Sequence, residues 1–161
     1  MTSERLVDSI SALIRTQLSF RISKFNGEIA AKTSYFASKG RGLSGALLNA
    51  FAELLENEAF ERGQLINREL RQMRAGWSAG LISGSENVLR ARVQAPLELH
   101  LKEAMRRIIN CAFPTLSAQG GNPVVGIEFH RSINCAVQDA ITMVNAVVTE
   151  VAQPPGESMT G

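Results

Sequence analysis

The segment from Val124 to Val151 carries the apolar stripe that most restricts how this 161-residue chain can fold. Its apolar and small side chains recur mostly at intervals of three and four residues, which is the spacing of one side of an α-helix. The stripe consists of Val125, Phe129, Ile133, Ala136, Val137, Ala140, Val144, Val147 and Val151. Because such a surface is unstable in water, other segments of the protein must cover it.

Three preceding segments have the same periodicity. The first runs from about Ser3 to Lys39 and ends at Gly40, where glycine favours a left-handed helix C-terminus. The second begins near Leu43 and ends in the glycine-rich stretch 76–84, which resembles a turn or hinge. The pattern therefore predicts long helices separated by glycine-marked turns.

Prolines mark the last two predicted helices. The third segment starts near Ser85 and is expected to stop by Pro114, and Pro96 inside it predicts a kink or a restart near residues 92–96. Pro123 suits the first position of the fourth helix, after Asn122 as N-cap. We therefore predict an all-α, up-down-up-down bundle over residues 1–152 with a flexible tail, 153–161. The alternative pairs some helices with a second subunit.

Small residues interrupt the apolar stripe of the second segment at Ala59 and Gly63. Their spacing of four places both on one side of a helix, where a neighbouring backbone can approach closely. We interpret this as a helix crossing within the fold, with a contact between subunits as the alternative.

Composition restricts the class and the location of the protein. Hydrophobic residues make up 45% of the chain and the net charge is +2, which is typical of a globular protein and too small to indicate nucleic-acid binding by itself. Charged residues interrupt the N-terminal segment, and no window reaches about 18 uninterrupted apolar residues, so we expect neither a signal peptide nor a transmembrane segment. A cytoplasmic location follows, with export by a route without a cleaved signal peptide left open.

Residues capable of chemistry are few and scattered. The two cysteines, Cys111 and Cys135, are expected to be free, buried thiols because a helical hairpin would keep them too far apart for a disulfide. His100 and His130 have no spacing typical of a metal site. The acidic residues Glu53, Glu56, Glu58 and Glu61 indicate a solvated helix face, on which Glu58 and Arg62 would form an exposed ion pair. We predict no catalytic residue, cofactor or metal.

These observations favour a non-enzymatic protein-protein interaction module: an adaptor, chaperone, effector or assembly subunit. A protein partner or a homo-oligomer is expected. Apolar residues outside the main stripes are the candidate partner-binding positions. They are Phe20, Tyr35, Leu81, Ile82 and Leu99.

Two other functions remain open. A basic face would bind an anionic membrane surface or nucleic acid. Its candidate residues are Arg21, Lys24, Lys32, Lys39, Arg68, Arg71, Arg74, Arg106 and Arg107. The least favoured hypothesis, an all-helical enzyme, requires a histidine to converge with Glu53 and Glu56 or with the cysteines in one pocket.

Overall fold

Four long helices form the structure, a computed structural model that describes residues 3–75, 86–118 and 123–152. They are α1 (Ser3–Ser38), α2 (Gly45–Ala75), α3 (Glu86–Ala118) and α4 (Pro123–Ala152), and these described ranges contain no strand. The predicted all-α four-helix bundle is confirmed. The tail 153–161 lies outside the described residues.

The turn between α1 and α2 follows the glycine signal in the sequence. Gly40 has a φ of 70°, in the left-handed region that residues with a side chain rarely adopt. Its N–H donates to Ala37 O at 3.0 Å, and the Arg41 N–H donates to Phe36 O at 2.8 Å. This is the Schellman arrangement that satisfies the last carbonyls of a helix. The predicted left-handed terminus is confirmed.

Helix α3 is longer than predicted, because it continues through both of its prolines. The expected stop at Pro114 is wrong, and α3 ends at Ala118 without the restart considered near Pro96. Contacts with another part of the fold stabilise the last turns of α3, after Pro114. Thr115 is fully buried, and its Oγ1 donates to Gly42 O at 3.3 Å, which ties this end of α3 to the turn between α1 and α2.

The helices are not arranged in simple chain order around the bundle. Helices α1 and α4 each pack against both α2 and α3, which also contact each other across the middle, while α1 and α4 barely touch. Contacts along the pairs give alternating directions. Arg90 bonds to Thr149 and Gln94 bonds to Asn145, so α3 and α4 are antiparallel. The parallel neighbours are therefore α1 with α3 and α2 with α4.

The four stripes meet in one continuous core. Every member of the predicted apolar stripe of α4 is buried except Val125, which is partly buried. The prediction of buried thiols is wrong, because Cys111 and Cys135 are free but exposed. Each cysteine directly precedes a buried alanine, and one residue along a helix rotates the side chain by about 100° away from the core.

One helix among the described residues, Val124–Ala152, is long and apolar enough by length and composition to cross a membrane. This finding is weak evidence, because the core helix of a soluble protein passes the same test. The apolar stripe of α4 packs against α2 and α3.

Pro96 leaves a backbone acceptor that another helix satisfies. Proline has no N–H, so residue 96 cannot donate to the carbonyl of Arg92 one turn earlier. Ser11 of α1 is buried, and its Oγ donates to Arg92 O at 3.2 Å. An exposed ion pair between Arg92 and Asp8, at 3.1 Å, lies at the same contact.

Replacing Ser11 with alanine should lower the free energy of unfolding by about 1–2 kcal/mol, because the Arg92 carbonyl loses a donor in a partly buried position. In a Pro96→Ala background the restored N–H of residue 96 supplies that donor, so Ser11→Ala should lower the free energy of unfolding by clearly less. Urea denaturation of the four proteins in this double-mutant cycle measures the coupling. Equal costs in both backgrounds would mean that the two groups do not share the carbonyl.

Candidate functional site

Within ranges 3–75, 86–118 and 123–152, no group of three or more His, Cys, Asp or Glu side chains is placed to hold a metal ion. His130 is exposed, and its Nδ1 lies 2.8 Å from Gly126 O in its own helix. Glu53 and Glu56 are also exposed. His100 is half-buried and lies beside a different group of charges, described next.

The least expected feature of the bundle is a buried ion pair. Glu58 and Arg62 are 2% and 1% exposed, so the prediction that they form an exposed pair is wrong. They follow the buried Phe51 and Leu55 at helical spacing, on the core side of α2. This position is the signal that sequence analysis missed: two charges in register with the apolar stripe rather than opposite it.

The Glu58 carboxylate is shared by two arginines. Its Oε1 accepts hydrogen bonds from Arg62 Nε at 2.8 Å and from Arg21 Nε at 3.0 Å, while Oε2 accepts from Arg21 Nη2 at 2.7 Å. Arg21 also contacts the half-exposed Glu61. Arg62 also donates a hydrogen bond from Nη1 to His100 O at 3.2 Å. We call Arg21, Glu58 and Arg62 the charged triad.

Two opposing effects set the pKa of Glu58. Burial raises the pKa of this carboxyl, and the hydrogen bonds from Arg21 and Arg62 lower it more, with a net pKa below its usual value. The hydrogen bond between Arg21 and Glu58 also raises the pKa of Arg21. The triad is therefore fully ionised near neutral pH, with two positive charges and one negative charge.

A cleft of about 420 Å³ lies between α1 and α3, next to the triad. The buried Arg62 contributes to its wall, together with apolar and polar side chains from both helices. These are Ile22, Phe25, Asn26, Leu99, His100, Glu103, Ala104 and Arg107. Burial, followed by the charges of Arg62 and Arg15, lowers the pKa of His100.

The predicted partner-binding residues fall on two surfaces. Phe20, Tyr35 and Leu99 are 72%, 57% and 68% exposed. Leu99 lines the cleft, whereas Phe20 and Tyr35 lie at exposed positions of α1, and Tyr35 also lines a pocket with Ala46 at the start of α2. The other two positions, Leu81 and Ile82, lie outside the described residues.

The predicted basic residues do not form one free face. Arg21 turns inward to the triad, and Arg71 pairs with Glu150 of α4 at 3.1 Å. Lys24 lies 3.9 Å from both Glu28 and Glu61. The Lys39 ammonium lies 5.8 Å from the centre of the Tyr35 ring. Arg106 pairs with Glu103, and Arg74 also has an interaction partner. Lys32, Arg68 and Arg107 are exposed on three different helices.

Ala59 and Gly63 are both buried, and the structure places Gly63 at the contact between α2 and α4. A Cβ atom added to Gly63 would overlap the end of the Met143 side chain and lie 3.8 Å from Ala140 O. This geometry corresponds to the helix crossing within the fold, the first of the two alternatives raised by the sequence.

Comparison with known proteins adds no relative to this geometry: no family model, curated protein or solved structure matches the chain.

Proposed function

We propose that the protein is a non-enzymatic helical interaction module that docks a partner helix on the outward side of α1. We define the α1 outer face by nine exposed, uncharged residues at helical spacing. They are Thr16, Phe20, Ser23, Gly27, Ala30, Ala31, Ser34, Tyr35 and Ser38. The observation that carries the proposal is this long exposed surface from Thr16 to Ser38, on which the one charged side chain, Lys24, lies near two carboxylates.

The chemistry of the α1 outer face suits a helix. Phe20 and Tyr35 are fifteen positions apart, about 22 Å along the helix, with small residues between them. Small residues allow two helix backbones to approach closely, and exposed aromatic side chains are frequent anchors of interfaces. Two hydroxyls of the face already donate within α1, from Thr16 to Ala12 O at 3.0 Å and from Ser38 to Tyr35 O at 2.7 Å.

The surroundings of this face support an apolar rather than an ionic partner surface. Lys24 lies on this surface, and its ammonium lies near two carboxylates. The alternative function, binding of an anionic membrane or nucleic acid through a basic face, has less support because four of its nine residues pair with carboxylates. Those four are Arg21, Lys24, Arg71 and Arg106.

Phe20→Asp and Ala31→Glu should each abolish capture of the partner from the native cell while leaving thermal stability unchanged, since both positions are exposed. A charge placed in the middle of an apolar interface would be desolvated without a counter-charge. The measurement is affinity capture with the full chain, followed by identification of the retained proteins. Light scattering over a concentration series distinguishes a second copy of this chain from a different partner.

Phe113→Asp is the matched control, because Phe113 is 66% exposed on α3 and is not part of the α1 outer face. It should leave capture intact. The proposal fails if both α1 variants still retain the same species, or if the Phe113 control loses them too. A fall in thermal stability of the α1 variants would place those residues in the core instead.

A further inference from the structure

We propose that the cleft between α1 and α3 binds a small amphipathic carboxylate, whose anionic head bonds to Arg62 while its apolar part lies between Ile22, Phe25 and Leu99. This site is separate from the α1 outer face and does not depend on the proposed docking function. The unbonded donor of Arg62, the charges of the cleft wall and its apolar side chains support such a ligand.

Arg62 has a donor group without a protein acceptor. Its Nε and Nη1 bond to Glu58 and to His100 O, and among the described residues Nη2 makes no hydrogen bond. The side chain is 1% exposed and contributes to the wall of the cleft. Because Arg62 lines the cleft, this unbonded guanidinium group is available to donate a charge-assisted hydrogen bond to a ligand oxygen there.

The charge balance favours an anion. In the triad, Glu58 offsets the charge of Arg62, and Arg21 is shared between Glu58 and the half-exposed Glu61. Arg107 adds another positive charge to the cleft wall, while Glu103 in the same wall pairs with Arg106. The charged side chains of the cleft wall are therefore two positive, Arg62 and Arg107, and one negative, Glu103.

The walls favour an apolar body on that anion. Ile22, Phe25, Leu99 and Ala104 present hydrocarbon to a volume of about 420 Å³, which is within the range of about 300–1,000 Å³ typical of small-molecule sites. Ile22 and Leu99 are 42% and 68% exposed, so part of the apolar surface faces solvent without a ligand. A monoanion with a short alkyl chain fits both the apolar walls and the single unbonded donor.

Calorimetric titration of the full chain with decanoate and with decanol tests the proposal. Decanoate should bind. Decanol has the same chain without the charge, and its affinity should be lower by at least about tenfold, because a hydrogen bond to a charged group contributes more than one to a neutral group. In NMR spectra, decanoate should shift the Arg62 Nε–H and Leu99 methyl signals. Absence of decanoate binding, or equal affinity for decanol, would overturn the proposal.

Two variants locate the site. Leu99→Glu places a like charge in the cleft wall and should weaken decanoate binding about tenfold or more, whereas Phe113→Glu, at a comparable exposed position outside the cleft, should not. Glu58→Met with Arg62→Met removes the buried pair with little change in volume, and should abolish the preference for decanoate over decanol. Unchanged binding in Leu99→Glu, or equal loss in Phe113→Glu, would exclude this cleft even if the double variant does not fold.

Discussion

Replacing Glu58 with alanine is expected to lower the free energy of unfolding by about 3–5 kcal/mol, because Arg62 would stay buried without its carboxylate. Glu58 accepts from both Arg62 and Arg21, and within the described parts of the chain the other acceptor of Arg62 is His100 O. Arg21 keeps Glu61, so most of the cost should come from Arg62. Urea denaturation followed by circular dichroism measures the change.

Glu61→Ala is the matched control, because Glu61 contacts the same Arg21 but is half exposed. It should cost at most about 1 kcal/mol, as exposed ion pairs do. Glu58→Met with Arg62→Met should lie close to the wild type, since no charge is then left alone in the core. Similar costs for Glu58→Ala and Glu61→Ala would show that burial of the pair does not determine its contribution.

The acid limb of the stability curve tests the same carboxylate. The pKa of Glu58 is lower in the folded protein than its usual value of 4.5, so its contribution is fully present above pH 4.5 and is lost as the pH falls through the folded pKa. The difference in unfolding free energy between the wild type and Glu58→Ala should therefore shrink below about pH 4.5. A difference independent of pH would contradict this assignment.

Replacing Gly63 with leucine should lower the free energy of unfolding by about 3 kcal/mol, because the added side chain has no space between α2 and α4. A Cβ at this position already meets Met143 and lies 3.7 Å from Val144 Cγ2 and 3.8 Å from Ala140 O. The remaining atoms of leucine would meet the backbone of α4, which moves only with the whole helix. Thermal and urea denaturation measure the loss.

Two glycine variants separate crowding from helix propensity. Gly63→Ala meets only the movable end of Met143 at close range, so its cost should be largely offset by the gain of about 1 kcal/mol from alanine in a helix. Gly27→Leu adds the larger side chain where nothing lies within 4 Å, and should be neutral or stabilising. Equal destabilisation by leucine at both positions would indicate that the α2–α4 contact is not close.

Local rules predict most of the helix boundaries. The Gly40 turn and the start of α4 at Pro123 depend on residues adjacent in the chain, so their signals are visible in sequence. The end of α3 has no such local signal, because it depends on the hydrogen bond from Thr115 to Gly42, 73 residues away. A proline normally disfavours helix continuation, but this distant contact and the buried side of α3 outweigh the local preference.

The candidate site was predictable only in part. The exposure of Phe20, Tyr35 and Leu99 agrees with their positions outside the apolar stripes. The buried pair was missed because a Glu and an Arg one turn apart are usually read as a solvated pair. The sequence does place Glu58 and Arg62 in register with Leu55 and Ile66. It does not show that Arg21 of α1, 37 residues before Glu58, bonds to the same carboxylate.

The sequence by itself determined four helices and the side of each that is buried, because helical periodicity is a property of neighbouring residues. Only the tertiary structure decided that α1 and α4 lie at opposite corners and that a single carboxylate serves two arginines beside a cleft. Those features depend on which stripes meet, and helical periodicity alone does not specify the pairing. Shape at close contacts such as Gly63, together with hydrogen bonds between distant residues, selects among these pairings.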